Sequence, residues 1–449
     1  MADTVTESQI GWKLVDCKLT MDGGSVIPLT TNLISFTYYE DLERICPTGV
    51  AVLSDLGSQD LPLSGGEAFT ITVVTDQTSE EEVTYEFVVG GNGTPFIDFK
   101  GKIATLSLIK KDSKVFSTFK AINTYKGTGN SIIALAFQDA QMGSQVMLRG
   151  PAPFNKLLIP GEGISLDKMA RRVCTQSIPQ AGEGANTCGY FLWGTRDGYN
   201  FASIDHLLSV GDDSYNGIKP FWEYYQSPAN TNQIPAHLII QHYSVKRDGD
   251  LKAMADKGVF AAIIAVTNTD TQEFKEERWN LQDHWKDWGH IGNQSKFPAW
   301  MIKWLDEYQT STSNNTQAVR TFKIDTTNEA SFNEEETAAE TTGRDGGDVE
   351  TEYPDWGPYT VCQYNARRAT MVMNVTNVVV PGNSQLRAGN KIKLHIQSSK
   401  PDHAKDDDDE VLRRSGAYLI FRLAHRYNMT PRECFTAATL VKDSMNKNC

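Results

Sequence analysis

Few residues of this 449-residue chain stand at spacings that could do chemistry. In HWKDWGH, His284 and His290 flank Trp285 and Trp288, and two imidazoles so placed could share a metal ion. The stretch reads more simply as a structural aromatic cluster. The densest charge run is KDDDDE, Lys405 to Glu410. A calcium loop alternates acidic ligands with spacers around a turn glycine, and a contiguous block does not, so the run reads as a solvated loop. GTG at Gly127 to Gly129 could begin a phosphate-binding turn, but a third glycine is missing and the sequence suggests no helix after it. No GxSxG, HExxH, P-loop or kinase signature is present. Catalytic residues, metal ligands and cofactors are therefore all expected to be none.

Composition narrows the partners. The formal net charge is −13, and no Lys/Arg run exceeds a pair, so nucleic acid and anionic membranes are poor partners for the bulk surface. A protein partner is expected. Hydrophobic residues make up 40% of the chain, enough for burial, and the length suits two to four domains. The start, MADTVTESQIGWK, reads as no signal peptide, and the longest apolar run, Gly258 to Val266, is too short to span a membrane. Cys17, Cys46, Cys174, Cys188, Cys362, Cys434 and Cys449 form no CxxC pair and read as reduced thiols.

The elements that would carry any site are mostly strands. From Thr31 to about Met142, alternating stretches such as NLISFTYYED, TGVAVLSD, EVTYEFVV, KIATLSLIK and SIIALAF read as an antiparallel β domain over 1–145. A middle α+β domain, 146–234, carries a helix in ISLDKMARRVCTQSI started at Ser165, and a hairpin of Tyr190 to Trp193 with Tyr199 to Phe201 closed by TRDG. Strands return at HLIIQHYSV and GVFAAIIAVTNTD, and again at TVCQY, ATMVMNVTNVVV, GAYLIFRLAHRY and ECFTAATLVKD. These predict a second β domain over 235–283 and 359–449, split by an insertion at 284–358 that is Trp-rich and then acidic. The aromatics Trp285, Trp288, Trp300 and Trp304 are either core of that insertion, the reading favoured here, or a docking face.

One phrase is written twice. LPLSGGEAFTITVV (Leu61 to Val74) and QLRAGNKIKLHI (Gln385 to Ile396) each set a glycine before an alternating run, Phe69, Ile71, Val73 in one and Ile392, Leu394, Ile396 in the other. A tyrosine-bearing strand precedes each: Leu33 to Tyr39, and His237 to Val245. The sequence further matches Thr48 to Asp55 with Lys257 to Asp270, and a last strand ending at Asp139 with one ending at Asp443. Duplication of a β domain accounts for the shared order. The fold expected is mainly β with α+β insertions, two similar antiparallel barrels or sandwiches per chain.

The phrases LISFTYYEDL, TGVAVLSD, LPLSGGEAFTITV, GYFLWGTRDGYNFASIDHLL, AGNKIKLHI and SGAYLIFRLAHRY, in that order, resemble the central baseplate hub protein of T-even-like contractile-tailed bacteriophages. The resemblance implies a homotrimer with two tube-type β domains per chain, so that three chains present six. Such a ring adapts the sixfold tail tube, or a tube-initiator protein, above it to the threefold cell-puncturing spike below. It further implies a tape-measure protein as neighbour, DNA only transiently in the lumen, no membrane insertion, and a place in the virion baseplate after assembly in the host cytoplasm. Under it, Phe69, Ile71, Val73, Ile392, Leu394 and Ile396 belong to ring-building strands, and no catalytic residue carries over. The insertion and the acidic run lie outside what it assigns. A receptor- or glycan-binding tail appendage, with the Trp-rich stretch as recognition face, is the alternative. An acidic lumen would let DNA pass without holding it.

Overall fold

In a computed structural model, the described residues are 11–21, 23–54, 63, 65–75, 82–90, 97–100, 103–143, 146–179, 189–209, 222–226, 234–248, 251–268, 272, 274–285, 288–291, 320–326, 360–396 and 414–444. The chain is mainly β with helical insertions. Its first part supplies β1 (Trp12–Thr20), β2 (Val26–Pro28), β3 (Leu33–Asp41), β4 (Thr48–Ser54), β5 (Ala68–Thr75), β6 (Glu82–Val89), β7 (Ile97–Lys100) and β8 (Ile103–Ile109). Strict alternation, as in the Phe69, Ile71, Val73 face of β5, buries one side of each strand and leaves the other at the surface. The inner side is aromatic: Phe36, Tyr38, Phe69, Tyr85 and Phe87 pack with Leu53, Leu106 and Leu108.

The middle part holds α1 (Ser113–Thr118), β9 (Lys120–Ala121), β10 (Tyr125–Thr128), α2 (Gly129–Asp139), β11 (Val146–Arg149), β12 (Lys156–Ile159), β13 (Ile164–Ser165), α3 (Leu166–Gln176), β14 (Tyr190–Thr195), β15 (Gly198–Ser203) and α4 (Ile204–Leu208). The hairpin expected from TRDG is β14–β15, with Thr195 opposite Gly198 and Gly198 at φ 138°. Ser165 stands at the start of α3 as expected, but its side chain makes no capping bond; Ser203 caps α4 by accepting from the His206 amide at 3.1 Å. Two expectations fail here. SIIALAF is not a strand but most of α2, and a helix therefore does follow GTG. The strand before it, β10, pairs antiparallel with β12, so no parallel dinucleotide-binding unit results.

The last part supplies β16 (Trp222–Gln226), β17 (Ile239–Ile240) and β18 (His242–Asp248). Then come α5 (Leu251–Asp256), β19 (Ala261–Asn268), β20 (Phe274–Asn280), α6 (Leu281–His284), β21 (Arg320–Thr326) and α7 (Thr360–Met371). Four strands close the chain: β22 (Asn374–Pro381), β23 (Lys391–His395), β24 (Gly416–Met429) and β25 (Arg432–Lys442). TVCQY, read as a strand, is the first turn and more of α7, and ATMVMNVTNVVV changes from helix to strand within itself. Of the Lys257 to Asp270 run, expected in the second barrel, the described strand, β19, instead lies in a separate three-stranded sheet ordered β20-β19-β21.

One 15-stranded sheet contains two curled units. The first is ordered β2-β1-β5-β6-β8-β4-β3 and the second β17-β16-β23-β24-β25-β22-β18. Read strand for strand, these are the same arrangement met in the same chain order. Each closes through the link into its tyrosine-bearing strand. Leu29 donates to Cys17 of β1 and Asn32 accepts from Ser54 of β4 in the first. In the second, Gln241 donates to Val379 of β22 while β17 pairs with β16. They differ in one direction: β1 is antiparallel to β5, whereas β16 is parallel to β23.

Candidate functional site: the seam between two like barrels

The twice-written phrase builds the same local structure twice. Gly66, at φ 108°, donates to the Val89 carbonyl, and the Val89 amide donates to Glu67. Gly389, at φ 88°, donates to the Ile420 carbonyl, and the Ile420 amide donates to Asn390. In both, two residues oppose one, a bulge whose first position favours glycine because of its positive φ. Pairing then resumes in the same register, Ala68 opposite Val88 and Lys391 opposite Leu419. The six echoed side chains face inward: Phe69, Ile71, Val73, Ile392 and Leu394 are buried, and Ile396 packs on the second core.

The seam between the units is β24. Its first residues pair with β23; a register shift between Ile420 and Arg422 follows, and from Arg422 to Asn428 the same edge pairs with β3 of the first barrel. Arg422 meets Asp41 at 2.9 Å and Glu43 at 3.1 Å across this seam. Beyond it, Tyr427 enters the first barrel's core, its hydroxyl 2.9 Å from that of Tyr85, and the Trp12 indole donates to the Asn428 carbonyl at 3.0 Å. Neither barrel's core is complete without the long β24–β25 hairpin.

A buried polar cluster sits where seam, second glycine motif and middle hairpin meet. Glu40, 1% exposed, accepts from Ala388 at 2.7 Å, from the Tyr38 hydroxyl at 2.9 Å and from the Arg196 amide at 3.3 Å. Arg387 meets Asp197 of the β14–β15 turn at 2.9 Å and comes within 4.0 Å of Glu40. Burial holds the Glu40 carboxyl above the usual carboxylate range, against the opposing pull of Arg387. Asp197 goes the other way: burial raises it, and the Arg387 charge and hydrogen bond with Arg196 outweigh that and lower it. Trp193 donates to the Ala388 carbonyl at 3.0 Å and lies against Gly389.

His425 of β24 completes the cluster. Its Nε2 donates to the Leu386 carbonyl at 3.2 Å, which leaves Nδ1 to accept from the Thr436 hydroxyl at 3.0 Å. Burial first, and then Arg387, push its pKa down to about 3. An unfolded histidine titrates near about 6.5, so this ring favours folding fully above that pH and progressively less as pH falls toward about 3. The slope is about 1.4 kcal/mol per pH unit. Denaturation midpoints of the protein and of His425→Gln, measured from pH 7 to 4, should therefore converge as pH falls; a constant difference would contradict a neutral buried His425.

A second cluster ties the insertion to both other parts. Arg367 of α7 donates through Nε to Asp205 of α4 at 2.9 Å, through Nη1 to Asp443 at 2.8 Å, and to the Gly289 carbonyl. Asp443 also meets His290 at 2.9 Å and accepts from the Ile291 amide at 3.1 Å. Burial pushes the Asp443 carboxyl up, and His290, Arg367 and the Ile291 amide together more than offset it, bringing it down to about 2. Such a carboxylate, arginine and histidine could suggest chemistry. All of Arg367, Asp205 and Asp443 are 0% exposed as side chains, so no substrate reaches them in this structure.

His290 is thus held by Asp443 and the Trp285 carbonyl, and His284 stacks on Trp279 with centroids 5.8 Å apart, so the two do not converge on a metal. Among the described residues no group of three or more His, Cys, Asp or Glu is placed to hold one. Trp285 and Trp288 are 0% and 4% exposed, inside a core with Trp279, Ile264 and Met254. Trp300, Trp304 and the Lys405 to Glu410 run lie outside the described residues. The five described cysteines are free thiols. Among the described residues no helix is long and apolar enough to cross a membrane. Sequence reasoning missed both polar clusters, whose members come together only through tertiary structure.

No known protein-family profile and no curated protein sequence matches the chain. Solved structures do. A tail protein from Neisseria meningitidis MC58 is similar at 12% identity, with 96% of this chain and 97% of that one covered and a TM-score of 0.51. The 43 kDa tail protein of prophage MuSo2 from Shewanella oneidensis is similar at 12% identity, with 97% and 98% covered and a TM-score of 0.48. At such identity the first of these likenesses is one of fold.

Proposed function

We propose that this chain is a structural protein of a phage-type tail, and within it the trimeric central hub of the baseplate. The observation that carries the reading is the pair of barrels with one strand order, one chain order and one bulge register. A chain with two like units gives a trimer six of them, which matches a sixfold tube on one side and a threefold spike on the other. The seam supports this reading, because it fixes the two barrels to each other as rigidly as neighbours in a ring must be. Fold likeness to a tail protein over nearly the whole length agrees with it. In this role the chain works by shape, with no catalytic step of its own: it contacts a tube or tube-initiator protein, a spike and a tape-measure protein, and it surrounds the channel through which DNA leaves the virion.

Co-expression with the neighbouring tail genes tests the proposal. The expected product is one complex holding three copies of this chain between a tube-type and a spike-type protein. A chain that recovers neither, and instead binds immobilised glycans, would transfer the role to a receptor-binding appendage.

A further inference from the structure

We propose that the free edge of β18 in one chain pairs with the free edge of β7 in a second copy, repeating between chains the seam that β3 and β24 make within one. This deepens the trimer reading above and rests on it. The correspondence of the two barrels extends one strand further.

In the first barrel, β3 follows the closing strand and pairs with β4, Tyr38 opposite Gly49, and Gly49 in turn lies opposite Leu108. In the second, β18 follows the closing strand and pairs with β22, Val245 opposite Thr376, and Thr376 lies opposite Leu440. So β18 holds the place of β3. Past each bulge, the far half of β24 pairs with β25, Ala424 opposite Ala437, and β7 pairs with β8, Asp98 opposite Thr105. So β7 holds the place of the far half of β24. Within the chain β3 and β24 pair with each other. Their counterparts do not: among the described strands β18 pairs only with β22 and β7 only with β8. Among the described strands, an arrangement used once within the chain is thus left open once on each barrel.

Open strand edges are templates for pairing with another chain unless they are blunted. Val245 of β18 is 37% exposed in the isolated chain. The edges are unlike, one on each barrel, so the contact is head to tail, and it closes into a ring when the rotation per chain suits. The register transposes directly. His425 opposite Tyr38 becomes Phe99 opposite Val245, with Lys246 as the extra residue where β18 shifts register against β22.

Cysteines at directly opposed positions of paired strands lie close enough for a disulfide. The test is the full-length double variant Phe99→Cys with Val245→Cys, oxidised gently and run on a non-reducing gel beside both single variants and the unsubstituted chain. The mass of unoxidised protein is measured in parallel. Tyr39→Cys with Ala424→Cys, opposed within the chain, serves as the positive control. The expected result is covalent trimer, reversed by reductant and severalfold above either single variant. Protein that is trimeric by mass yet crosslinks no better than the single variants, while the control pair oxidises, would overturn this seam and leave the hub reading standing. Monomeric protein without crosslink would overturn both.

Discussion

Arg367→Ala is expected to lower the stability of this protein by about 3–5 kcal/mol, among the largest effects any single side chain here can have. The magnitude follows from what is left behind. Asp205 and Asp443 are both 0% exposed and both bonded to the guanidinium, so its loss removes the buried positive charge that faces each carboxylate. The substitution also removes a donor to the Gly289 carbonyl and with it the tie between α7, α4 and the end of β25. The shift in denaturant midpoint, read beside Arg171→Ala, measures it. Arg171 pairs with Asp167 at 3.1 Å, but its side chain is 59% exposed, and a pair so placed contributes no more than about 1 kcal/mol. Equal losses from the two variants would show that the buried cluster is not structural.

Gly389→Ala should cost more than Gly66→Ala, although both glycines stand at the same position of the same bulge. Both have positive φ, so each substitution carries backbone strain of about 1 kcal/mol. What differs is the neighbour. A Cβ on Gly66 would meet the end of the flexible Lys114 side chain at 3.0 Å, which can move away. A Cβ on Gly389 would come within 2.6 Å of Trp193, an indole 0% exposed and held by its bond to Ala388. Overpacking of that kind adds about 1–3 kcal/mol to the strain. Thermal or denaturant melts of the two variants check the ranking, and the reverse order would contradict the placement of Trp193.

Both predictions depend on features with unequal visibility in the sequence. The echo was legible because it is local: a positive-φ glycine followed by period-two burial leaves a mark within twelve residues. Of the tyrosine-bearing runs, Leu33 to Tyr39 is β3 as expected, but His237 to Val245 is divided: Ile239–Ile240 is β17, in the place of β2, and only from His242 onward does β18 take the place of β3. The other two matches misled. Lys257 to Asp270 shares its Gly-Val start with Thr48 to Asp55, yet the counterpart of β4 is β22, which lies opposite β25 as β4 lies opposite β8. The counterpart of the last strand, β25, is β8 and not the run ending at Asp139. Ile132 to Phe137 is a short continuous apolar run, which helix and strand share, and α7 hides its buried face behind Arg367 and Gln363. The polar cluster at the seam was illegible for a plainer reason. Glu40 and Ala388 are 348 positions apart, and nothing near either one names the other.

The sequence placed the described part of the aromatic stretch well and the insertion less so. Trp279, Trp285 and Trp288 are core, as favoured, but the core they build includes Met254, Phe260, Ile264 and Cys362, so the unit interrupting the second barrel begins just after β18 and runs to the start of β22. A barrel split at that point still folds to the same order, because β18 and β22 are joined by their own ladder from His242 to Asp248 and need no short connection.

In the proposed hub the two barrels of one chain occupy equivalent places around one ring. End-on electron-microscopy averaging of the purified chain, alone and then with its tail neighbours, shows whether they do. Threefold particles with six lobes of like size at one radius around an open channel are expected. Particles in which the two barrels sit at different radii, or single chains in both preparations, would contradict that arrangement.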